Sequence, residues 1–87
     1  MSEQQIEELL SQRHHLAVEA YKQTDNPTWT RMWDECAELA TRAAEIAEAD
    51  VDTERADSLR RTAENNRNNA DVFRGRPNEG ESAVGDR

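Results

Sequence analysis

Between residues 27 and 49 the chain sorts its side chains by angle. At about 100° per residue, Trp29, Met32, Trp33, Cys36, Ala37, Leu39, Ala40, Ala43, Ala44, Ile46 and Ala47 occupy one half of a helical circumference. Arg31, Asp34, Glu35, Glu38, Arg42, Glu45 and Glu48 occupy the other half. A strand alternates every second residue and could not produce this division, so the segment is a helix with an apolar flank and an acidic flank. An apolar arc this broad predicts contact with two neighbours. Bulky rings at its start require a wide gap, and the small residues from Cys36 to Ala47 require a close helix crossing.

Two weaker periodic segments supply those neighbours. Upstream, Ile6, Leu9, Leu10, Leu16, Ala17, Ala20 and Tyr21 recur at steps of three and four. Ser2 with Gln5 fits a capping box that starts this first helix. Thr24-Asp25-Asn26-Pro27 stops it and starts the next, with Asn26 or Asp25 as cap and Pro27 at the first helical position. So short a turn predicts an antiparallel hairpin. Asp50-Val51-Asp52-Thr53 is the second break, with Asp52 or Thr53 as cap. The third segment carries a thinner stripe of Ala56, Leu59, Ala63, Asn66, Ala70 and Phe73. Its run Asn65-Asn66-Arg67-Asn68-Asn69 favours fraying.

The expected fold is all-α: an antiparallel helical hairpin plus a third helix, forming a small three-helix bundle. One helical domain is expected over residues 1–73, with helices at about 3–23, 27–49 and 53–72. Residues 74–87 lose all periodicity and read as a disordered tail.

Charge narrows the function classes. The 87 residues carry nineteen acids and eleven bases, a net charge of -8, and eleven of those acids precede residue 51. Such a surface repels phosphates, which disfavours direct contact with nucleic acid or with an anionic membrane. It attracts a basic protein surface. The alternative is that the charge serves solubility alone. No apolar run approaches the roughly 20 residues a membrane span needs. The first residues are acidic where a secretory signal is basic, and the single Cys36 fits a reducing cytoplasm, which is the expected location.

Candidate sites each have a plainer structural reading beside them. Trp29 and Trp33, next to Met32, are candidate anchors for a partner; alternatively they plug the open end of the hairpin against Tyr21 and Leu16. Arg13 falls at the centre of the first helix's apolar stripe, where it either grips a partner carboxylate or turns its head to solvent. His14 and His15 point about 100° apart and cannot both ligate one metal from a helix. His15 with Glu19 lacks the further ligands a metal requires, so no metal and no cofactor are expected. Cys36, on the small-residue face, reads as a buried structural thiol. No phosphate loop, Ser/His/Asp spacing or pocketed carboxylate pair is visible, and the chain is not expected to be an enzyme.

Asp57-Ser58-Leu59 resembles the phosphopantetheine attachment motif of the acyl carrier proteins, which are acidic, helical and of similar length. The resemblance covers three residues and would make Ser58 the prosthetic attachment point. The family pattern has a glycine shortly before the motif, the serine at a helix start and some forty further residues of helix. Here Arg55-Ala56 precede the motif and only 28 residues follow Leu59.

The functional expectation is a protein-interaction module that docks on a basic, nucleic-acid-handling protein surface as an inhibitor, antagonist or adaptor. In build it is similar to phage-encoded inhibitors that block basic grooves. Glu35, Glu38, Glu45 and Glu48 would contact the partner, with Trp29 and Trp33 at one end. The alternative is a self-associating scaffold subunit. Its symmetric homodimer seam would be the edge formed by Ala37, Ala40, Ala44 and Ala47, because one copy builds little core.

Overall fold

The computed structural model describes residues 2–76 and contains three helices: α1 (Ser2–Tyr21), α2 (Asn26–Ala49) and α3 (Thr53–Asp71). The architecture is the expected three-helix bundle, with no strand among the described residues. The side chain of Ser2, expected to cap α1, lies outside the described residues, as does most of the expected tail, residues 77–87.

Each turn is closed by a specific cap. Asp25 is the N-cap of α2, and its carboxylate accepts from the Thr28 backbone N–H at 3.1 Å and from the Thr28 hydroxyl at 2.5 Å. Asp52 is the N-cap of α3 and accepts from the Arg55 N–H at 3.2 Å. Both helix starts thereby satisfy backbone donors that have no partner within the helix. At the end of α2 the Asp52 N–H donates to the Ala47 carbonyl and the Val51 N–H to the Glu48 carbonyl, both at 2.9 Å. This is a Schellman closure, and it forces the residue after the cap into the left-handed region. Glycine normally takes that position; here Val51 takes it with φ 60°.

α2 is the hub, antiparallel to both neighbours, so α1 and α3 run parallel along its two sides. No Cα of α1 comes within 8 Å of a Cα of α3. Near the 50–53 turn, Ile6 and Leu59 meet Ala43, Ala44, Ala47 and Ala56, with Leu9, Leu10 and Ile46 packed around them. At the opposite end Ala17, Ala20, Trp33, Cys36 and Ala70 form a second cluster, flanked by Leu16, Trp29 and Met32. The alanines of α2 allow both flanking helices to press close, as the graded sequence predicted.

Residues 74–76 of the expected tail are among the described residues. Residues 72–75 continue from α3 as a turn. Arg74, assigned to the tail by composition, donates to both Asp34 carboxylate oxygens at 3.1 and 2.7 Å and to Asp71 at 2.6 Å. Two carboxylates on one guanidinium favour its charged form and raise its pKa further.

Candidate functional site

The outward face of α2 keeps its carboxylates in water. Glu35, Glu38, Glu45 and Glu48 are all exposed, while Trp33 and Ala40 on the opposite flank are 1% and 0% exposed. The helical angle that buries one flank therefore presents the other.

The four glutamates are not equivalent. Glu48 points toward α3 and receives two N–H groups of Arg60, each at 3.1 Å. That hydrogen bonding is the main cause of the raised Arg60 pKa. Glu38 pairs with Arg42 one turn later at 3.4 Å, an exposed contact that contributes about 0.5 kcal/mol or less. Glu35 and Glu45 make no ion pair among the described residues.

Glu35 and Glu38 also form a ridge with a groove on each side. One groove, of about 390 Å³, lies between α1 and α2 and is lined by Gln12, Leu16, Leu39 and Arg42 besides the two glutamates. The other, of about 750 Å³, lies between α2 and the turn after α3, with Pro27, Thr30 and Phe73 beside Asp34, Glu35 and Glu38 and the basic Arg31, Arg74 and Arg76. Each combines apolar residues with carboxylates. Arg42 already takes Glu38 in the first and Arg74 already takes Asp34 in the second, leaving Glu35, beside both, without an ion pair among the described residues. The combination suits a lysine or arginine side chain, whose aliphatic stem packs on apolar surface while its head meets an acid.

Two expectations, the alanine seam and the Trp33 anchor, need correction. Ala37, Ala40, Ala44 and Ala47 are at most 1% exposed within a single chain, because α1 and α3 already cover them. They form the interior of one protomer, and a seam between two copies at this edge would require the bundle to open. Trp33 is likewise interior and is not a partner anchor. Trp29 is half-buried, and its indole N–H donates to the Asn69 carbonyl of α3 at 2.7 Å. Both tryptophans belong to an aromatic plug that joins the three helices at one end. Tyr21 lies edge-on to Trp33 with centroids 4.9 Å apart, and Phe73 edge-on to Trp29 at 5.6 Å. Edge-to-face contact is a favoured arrangement of such rings.

The remaining candidates are placed as follows. Cys36 is fully buried, and burial pushes its thiol pKa up to about 11. Its Sγ lies 3.8 Å from the Arg13 carbonyl, the acceptor for the S–H. His14 and His15 are both exposed, their ring centroids 6.1 Å apart. Among the described residues no group of three His, Cys, Asp or Glu side chains could hold a metal ion. Ser58 is exposed in the second turn of α3, inside the helix and not at its start. No described helix is long and apolar enough to cross a membrane.

Two features escaped the sequence reading. The Asp34–Arg74 clasp joins residues forty apart, and no local pattern signals it. Arg13, Trp33 and Asn66 each bury one side-chain atom, Nε, Nε1 and Oδ1 respectively, with no hydrogen-bond partner. An unsatisfied buried polar group costs about 1–3 kcal/mol, so three near one another are an unusual feature in so small a core. The inward stripe that contains Asn66, and the central position of Arg13 on α1, were the available signals.

No protein-family model, curated protein or solved structure matches the chain, and its function is read from its own residues.

Proposed function

We propose that this chain is a small acidic interaction protein that docks on a basic protein surface, acting as an inhibitor or adaptor of a nucleic-acid-handling partner. The supporting observation is the ridge of Glu35 and Glu38 between two apolar-floored grooves, with Glu45 unpaired along the same face. Carboxylates held on one rigid helix keep their spacing, so little ordering entropy is lost when guanidinium or ammonium groups meet them. The excess negative charge steers a basic partner toward this face and repels free phosphates. Glu48, already held by Arg60, contributes to the field more than to contact.

The test is capture from the native host with the wild-type chain and with the Glu35→Lys/Glu38→Lys double variant, followed by salt titration of the recovered partner. The reading expects loss of the partner on charge reversal with helix content intact, and wild-type affinity that falls as salt rises. A partner retained by the double variant, or one insensitive to salt, overturns the electrostatic mechanism.

A further inference from the structure

A cleft of about 360 Å³ opens between α1 and α3, beside the cluster that holds Ala17 and Trp33. Arg13, Trp33 and Asn66, the residues with orphaned side-chain atoms, all line it. Two of those atoms are N–H donors and one is a carbonyl acceptor. Trp33 and Asn66 are 1% and 5% exposed, so solvent outside the cleft does not satisfy them. The volume is in the range of small-molecule sites and well above the roughly 30 Å³ share of one water.

The lining is also electrostatically distinct. The three other grooves described on this acidic chain each include at least two carboxylates, whereas this one has none among its described residues. It offers Arg13 and His14 with the amides and hydroxyls of α3, among them Thr62 and Asn69. Arg13 has no ion pair among the described residues. A half-buried guanidinium without a carboxylate favours an anionic oxygen pair, which its planar fork fits.

We propose that this cleft binds a carboxylate carrying an adjoining hydrogen-bond donor, either as a free small acid or as the C-terminal residue of a peptide. The carboxylate oxygens accept from Arg13 and from the Trp33 indole N–H, and the ligand's own N–H or O–H donates to the Asn66 carbonyl. All three protein atoms are shut off from solvent, so the half-buried Arg13 side chain is the movable wall. Swinging it outward opens the cleft floor, and the ligand draws it back. The site faces away from the acidic ridge of α2, and its occupancy is independent of the docking proposed above.

The test is a nuclear magnetic resonance titration of the full chain, reading the Trp33 indole N–H and the Asn66 side-chain amide. The probes are N-acetylglycine, a glycine tripeptide with a free C-terminus, and the same tripeptide amidated. Saturable shifts at both reporters are expected with a free carboxylate, at least about tenfold weaker with the amidated peptide or with Arg13→Gln. Arg13→Lys, which keeps the charge and loses the fork, should fall between wild type and Arg13→Gln and serves if the glutamine variant does not fold. A response to the tripeptide alone identifies a peptide terminus as the ligand; an equal response to N-acetylglycine identifies a free acid. Absence of saturation with both carboxylates, or equal affinity for the amidated control, overturns the proposal.

Discussion

The indole N–H of Trp29 donates to the main-chain carbonyl of Asn69 at 2.7 Å, so the first turn of α2 caps the last turn of α3. Thr30 adds its hydroxyl to the Ala70 carbonyl at 3.3 Å. The final carbonyls of a helix lack partners within it, and α3 ends without a glycine cap, on Val72 in ordinary right-handed geometry. An asparagine-rich segment with poor intrinsic helicity is thus held by side chains forty residues away. Trp29→Phe retains a ring against Tyr21 and Phe73 but removes the donor. It should cost about 1 kcal/mol. Hydrogen exchange should show faster opening of the last turn of α3, with α1 unaffected.

Val51 is 82% exposed and sits at φ 60°, where a β-branched side chain is strained. Val51→Gly removes that strain and loses almost no buried surface. The expected gain is about 1 kcal/mol, reduced somewhat by the greater freedom of glycine in the unfolded chain. In a domain of this size that raises the melting temperature by about 4–8 °C per kcal/mol, measurable by thermal denaturation.

Ala40 has no exposed surface, and its burial is complete within one chain. Ala40→Leu should overpack the crossing and cost about 1–3 kcal/mol. The same substitution on an intermolecular seam would instead alter self-association. Denaturant unfolding and sedimentation velocity on the same variant separate the two: lower stability with an unchanged sedimentation coefficient is expected.

Cys36 links stability to alkaline pH. Burial disfavours the thiolate, raising the pKa from 9.0 to about 11 in the folded chain. The unfolded chain therefore loses this proton first as pH rises. The contribution of the neutral thiol is fully present below pH 9 and is lost between 9 and 11, on the order of 2 kcal/mol. Urea midpoints should fall over that interval in wild type and fall less in Cys36→Ala. Thiol-reactive reagents at neutral pH should label Cys36 only at the rate of unfolding.

Much of this fold was legible because it depends on angle and on local caps. Division of residues 27–49 into two flanks required only helical spacing, and it located both the buried alanines and the exposed Glu35 and Glu38. The caps were narrowed to Asn26 or Asp25 and to Asp52 or Thr53 because a short acceptor before a helix start has a local role, and the structure selects Asp25 and Asp52. Helix ends were less legible: α1 stops at Tyr21, two residues short of the expected Gln23, because Lys22 and Gln23 close a turn onto Glu19 and Ala20.

Periodicity by itself determined that three helices form and which flank of each turns inward, since burial follows angle. Tertiary structure alone decided what meets what across the bundle. It turned the alanine edge from an available surface into an interior, and it drew Arg74 out of the presumed tail onto Asp34. It also left Arg13, Trp33 and Asn66 around one cleft. The physical reason is that hydrophobic patterning is a property of single helices, whereas hydrogen-bond satisfaction and ion pairing depend on distances between helices that no local spacing encodes.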